Sequence, residues 1–167
     1  METTYWLDKF TIISEQLAPA LLNESSPECR AGVWLNSAVL KMQKRSWLNR
    51  SKTAKPFGES IFFSVWLTDE SINANKLYYN IHALKLRQLT DYSIKSREFA
   101  EAFRSRFKPF EKKWPNVSVG FGPLTLMQGW VPINTENFEH EVIKLAHQFL
   151  EIYFIIDDLL EERKKGV

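Results

Sequence analysis

Three strand-like stretches follow one another between residues 31 and 89, and the connections between them are polar and carry no helical repeat. Parallel neighbours need a crossover of a dozen or more residues, usually a helix, so this arrangement predicts an antiparallel meander. From Ala31 onward, Val33, Leu35, Ser37 and Val39 alternate with Trp34, Asn36, Ala38 and Leu40. That is the pattern of a strand with one better-buried face, a short helix being the other reading. The stretch LNRSKTAKPFGES, polar and carrying Pro56 and Gly58, reads as a long hairpin loop. IFFSVWL at 61–67 has the aromatic and branched residues of a buried strand, TDESINAN turns the chain, and KLYYNIHALKLRQL at 76–89 reads as the next strand. Farther on, VSVGFG and LTLMQGWVPI lie around Gly122 and Pro123, which predicts a strand with a break or bulge, or a hairpin.

Helical periodicity surrounds this sheet. Trp6, Phe10, Ile13, Leu17 and Leu21 recur at steps of four and three, and Pro19 is expected to kink or stop that helix. Phe99, Phe103, Phe107, Phe110 and Trp114 mark a middle helix with Ser96 as its N-cap and Pro115 as its stop. Phe138, Val142, Leu145, Phe149, Ile152, Ile156 and Leu159 form a last stripe. A continuous helix over 135–163 would be roughly 43 Å long, more than a small sheet needs. An overhanging helix implies a partner, so a homodimer through the C-terminal helix is expected, with Ile143, Leu150 and Tyr153 widening the apolar face. The expected fold class is α+β: an antiparallel sheet of about four to five strands flanked by N-terminal, middle and long C-terminal helices, as a single domain over 1–167.

With 167 residues, 44% of them apolar, the chain can bury a core without staples and is too apolar to be disordered. Cys29 is the sole cysteine, so neither an internal disulfide nor a thiolate zinc cage is available. No apolar run reaches the roughly 18–20 residues of a membrane span, and METTYWLDKF lacks the pattern of a secretory signal. A cytoplasmic location without a membrane partner is therefore expected. The net charge of +2 hides a segregation: five acids and one base lie up to residue 29, seven bases and no acid over 30–58, and eight acids against four bases from 114 onward. A basic middle between acidic ends reads as a footprint for an anionic partner or as elements that neutralise each other on folding.

Several side chains are candidates for chemistry. Lys41, Lys44, Arg45, Arg50, Lys52 and Lys55 surround Trp47, giving the cations and stacking ring that single-stranded nucleic acid requires. A solvated loop is the plainer alternative. Arg97, Arg104 and Lys108 make a second basic face on the middle helix, open to phosphate or to the neighbouring Glu98, Glu101 and Glu111. Tyr78, Asn80 and His82 share one strand face at period two, a polar row suited to ligand binding or proton relay, with Lys85 and Arg87 expected on the other face. Trp34, Trp47 and Trp130 are the rings expected at a surface or groove. His140 and His147 stand two helical turns apart, unlike the four-residue spacing of helical zinc ligands. No E-x-K falls in a strand, and nucleophile-elbow and P-loop patterns are missing. No metal, cofactor or catalytic residue is assigned.

These signals fit a cytoplasmic binding or protein-interaction domain without evident catalytic machinery. Two alternatives stand beside it: nucleic-acid binding through the basic loop 41–55, and a small-molecule enzyme centred on His82 as acid or base.

Overall fold

The computed structural model describes residues 3–21, 26–48 and 60–166; Arg50, Lys52 and Lys55 lie outside them. Five strands pair in sequence order, β1 (Glu28–Trp34), β2 (Ser37–Gln43), β3 (Ile61–Leu67), β4 (Lys76–Ala83) and β5 (Thr125–Pro132), each antiparallel to the next. The α+β meander expected from the alternating stretches is present. Its beginning differs, because the chain turns back at Leu35 and Asn36 and sets Trp34 opposite Ser37, making a hairpin of what reads as one strand. Both turn residues have positive φ, 49° and 63°, as a two-residue type I′ loop requires. The glycine that normally marks such a turn is absent, so the alternation runs on through it.

β4 stops at Ala83, and Lys85 and Arg87 follow in a left-handed residue and a 3-10 turn. They leave the sheet instead of lining its other face. β5 carries the expected irregularity: His82 pairs with Thr125 but Ile81 pairs with Met127, which makes Leu126 a bulge. The VSVGFG stretch contributes only a bridge between Ser118 and Gln128.

α1 (Thr3–Leu17) packs on β1 and β2. A five-residue α2 (Asp69–Asn73), closed by a capping box between Thr68 and Ser71, joins β3 to β4. α3 (Ser96–Phe107) lies by β5, and α4 (Phe138–Ile152) and α5 (Phe154–Glu161) complete the helical layer. Strand alternation sends Leu40, Met42, Phe63, Val65, Tyr79 and Ile81 into one core with Phe10, Phe103, Phe149 and Ile156. Phe63 stacks on Phe149 with centroids 4.5 Å apart and planes 9° from parallel. Each such buried ring stabilises the fold by roughly 1.5–3 kcal/mol. Tyr79 needs Gly129 beside it, since a Cβ there would collide with the phenol, and its hydroxyl donates to the Pro115 carbonyl at 2.6 Å.

The C-terminal stripe is buried inside the chain: Phe138, Val142, Leu145, Phe149, Ile152, Ile156 and Leu159 all belong to the core. A single turn residue, Tyr153, separates α4 from α5. Burial of the stripe leaves it no apolar seam to offer a second chain, so it gives no support to a helix-mediated homodimer. Part of the charge segregation is neutralised within the fold. Lys44 pairs with Asp157 at 2.8 Å, Arg106 with Glu162 at 2.5 Å, Arg45 with Glu28 at 2.8 Å, and Arg163 with Glu98.

Candidate ligand-binding face

Among the described residues, the helical layer covers only one face of the sheet. On the opposite face, register aligns side chains into cross-strand rows. Val39, Trp66, Tyr78 and Trp130 are successive partners across β2 to β5, as are Lys41, Ser64, Asn80 and Gln128, while Phe62 faces His82 and His82 faces Thr125. An aromatic row, a polar row and a mixed row thus lie side by side.

These rows border a cleft of about 590 Å³, within the range of small-ligand sites. Exposed Leu35 and half-buried Trp34 and Trp66 line it together with buried Phe62, and its floor is the polar set Ser64, Asn80, His82 and Gln128, of which Ser64 and Asn80 are nearly inaccessible. Trp66 is stacked on Tyr78, centroids 4.6 Å apart and planes 11° from parallel, and also borders the cleft. Trp34 lies flat over Gly32, where a Cβ would come within 2.6 Å of the ring. The Lys41 ammonium sits 4.6 Å from the Trp34 ring and 4.0 Å from Phe62, cation–π contacts that ease the burial of its charge.

Hydrogen bonds order the floor. Ser64 Oγ donates to Asn80 Oδ1 at 2.5 Å, and Asn80 Nδ2 donates to His82 Nε2 at 3.1 Å and, at 3.5 Å, to Gln128 Oε1. His82 Nδ1 is 3.3 Å from the Leu124 carbonyl and 3.2 Å from Thr125 Oγ1. A carbonyl only accepts and an amide nitrogen only donates, so the neutral tautomer with its proton on Nδ1 fits both neighbours. Burial lowers the His82 pKa below its ordinary 6.5; the Leu124 hydrogen bond opposes that shift and the Lys41 charge adds to it. Ser64 donates its hydroxyl hydrogen bond to an amide oxygen, which is no base, so this row is not a serine–histidine nucleophile pair. It offers an ordered set of donors and acceptors beside flat rings.

The structure brings Tyr78, Asn80 and His82 together on this face, with Trp34 and Trp130 half-buried on it. Of the basic stretch, the described residues Lys41, Lys44 and Arg45 are held by different partners, and Arg50, Lys52 and Lys55 lie outside the described residues. Lys41 belongs to the open face, whereas Lys44 is paired with Asp157 and Arg45 with Glu28. Trp47 is 0% exposed and donates its indole N–H to Asp157 at 2.9 Å, so it is a core ring and not the expected stacking platform. Arg104 donates to the carbonyls of Phe121, Gly122, Thr125 and Leu126, so its guanidinium is engaged within the fold. Burial pushes the Cys29 thiol up to about 12, which makes it a poor nucleophile. Among the described residues, no three His, Cys, Asp or Glu side chains gather as metal ligands would, and no helix is long and apolar enough to cross a membrane.

Phe62, Ser64, Trp66, Gln128 and Leu35 were not foreseen as site residues. Ser64 was the available signal: a lone polar residue inside IFFSVWL marks the period-two face it shares with Phe62 and Trp66. No family model, curated protein or solved structure matches the chain.

Proposed function

We propose that this chain is a binding domain that holds its ligand on the helix-free face of the sheet, in the cleft floored by Ser64, Asn80, His82 and Gln128. One observation carries the reading: Trp34, Phe62 and Trp66 surround a hydrogen-bonded polar row on the face that the helices leave uncovered. A sheet face serving only stability would place apolar side chains under a covering layer or polar ones in water. Rings bordering convergent polar groups are instead the composition of ligand sites.

Thermal-shift measurements with mononucleotides, short oligonucleotides, neutral oligosaccharides and short peptides test this on the wild type and on Trp66→Leu. At least one class should raise the Tm of the wild type and lose that effect in the variant. Stabilisation that is equal in both proteins, or seen with no class, would contradict the proposal.

A further inference from the structure

We infer that the ligand of this face is single-stranded nucleic acid, its bases stacking along the aromatic band and its phosphates drawn by the lysines beside it. This inference rests on the preceding reading that the helix-free face is the binding site. Three observations carry it.

The first is the extent of the band. Trp34 stands on β1, Trp66 on β3, Tyr78 on β4 and Trp130 on β5, all on the same face. At about 4.8 Å per strand, Trp34 and Trp130 are some 19 Å apart across the sheet. One planar ligand reaches only part of that distance. A strand bearing rings at intervals can engage several positions, and stacking accepts any base because every base has a flat face.

The second is charge. The five strands contain a single carboxylate, Glu28, which is paired with Arg45. On the open face, Lys41 lies between Trp34 and Phe62, and the Lys76 ammonium stands 4.5 Å over Trp130. Cations placed directly beside stacking rings match a ligand whose flat groups and negative charges alternate.

The third is the polar row. Half-buried Gln128 presents a side-chain amide in the cleft that Trp66 also lines, and an amide can pair with the edge of a base; Asn80, 2% exposed and bonded to Ser64 and His82, backs it from below. The basic stretch around Trp47 is not the stacking surface in this arrangement, since that indole is buried.

Fluorescence anisotropy with a labelled, mixed-sequence single-stranded RNA or DNA oligonucleotide tests the inference at low and raised salt. The wild type should bind, with affinity falling as salt rises by a log–log slope of about −0.7 per phosphate neutralised. Trp66→Leu should weaken binding roughly 5- to 150-fold, the range for loss of one stacked base. Lys76→Ala, a change at a half-buried position, should weaken it and flatten the salt slope. Binding undiminished in both variants would overturn the inference, as would its absence in the wild type. Competition with a free mononucleotide and with a neutral oligosaccharide separates the two levels. If either binds in a Trp66-dependent way while the strand does not, the nucleic-acid inference fails and the binding face stands. If no probe depends on Trp66, both fail.

Discussion

Asn80 donates its side-chain amide to Nε2 of His82 across 3.1 Å, and so holds the ring in a form that cannot accept a proton without losing that bond. Both residues belong to β4, two positions apart, and face the side of the sheet without helices. The relationship links the local period of a strand to the electrostatics of the cleft. Protonation at Nε2 would set two donors against each other and force the Asn80 amide to turn, taking the Ser64 contact with it.

A pH dependence follows. Because the folded-state pKa of His82 lies below its ordinary 6.5, the unfolded chain binds the proton more readily. The contribution of neutral His82 is fully present above about pH 6.5 and declines as pH falls from there toward the folded value. His82→Gln keeps a hydrogen-bonding side chain without a titrating group, and its Tm should fall less than that of the wild type between neutral and mildly acidic pH. Parallel curves for the two proteins would contradict this.

Asp157 accepts from both Lys44 and Trp47. Asp157→Ala leaves a partly buried ammonium and a buried indole N–H without that partner, at a cost of about 1–3 kcal/mol. Urea denaturation reads this as a lower midpoint with an unchanged slope. Oligonucleotide affinity should be unaffected at temperatures where the variant is folded, because neither Lys44 nor Trp47 lies on the open face.

Leu35 is 98% exposed with φ at 49°, an unfavourable combination for a branched apolar residue at a hairpin tip. Replacement by Asn, which tolerates the left-handed region, should stabilise the fold by about 1 kcal/mol. As Leu35 also lines the cleft, the same variant should bind its ligand more weakly. A Leu35→Asn protein that is less stable than wild type would show that the turn is not strained.

The two packed glycines separate core from site. Gly129→Ala pushes Tyr79 out of the core and breaks its hydrogen bond to Pro115, so a loss of about 2–4 kcal/mol is expected. Gly32→Ala displaces only the half-buried Trp34 ring at the cleft rim. Its stability should change less than that of Gly129→Ala while ligand affinity drops, and chemical denaturation beside a binding assay distinguishes the two.

Much of the fold is legible because hydrophobic period is a local property. The stripes of Trp6 to Leu17 and of Phe99 to Phe107 are buried as their spacing implies, and loop-joined strands give the meander. The hairpin at Leu35 is hidden because its turn lacks glycine, and α2 because its capping box uses Ser71 in place of the usual acid or amide. The C-terminal stripe reads equally as a dimer seam or as core; which one it is depends on the sheet it meets, a long-range fact. The site divides along the same line. Tyr78, Asn80 and His82 are neighbours on one strand and their shared face follows from period two. Ser64 and Gln128 join them only through register with β3 and β5. Trp47 misleads because its sequence neighbours are basic, while Asp157, the partner that decides its position, comes from α5.

The six tryptophans offer a direct readout of which face binds. Trp34, Trp66 and Trp130 stand on the open face, and Trp6, Trp47 and Trp114 are buried on the helical side. Titrating the ¹⁵N-labelled protein with a short single-stranded oligonucleotide and following the indole N–H resonances should move those of Trp66, Trp34 and Trp130 while the other three stay in place. Shifts centred on Trp47, or binding that leaves the three open-face indoles unmoved, would contradict a ligand site on the helix-free face.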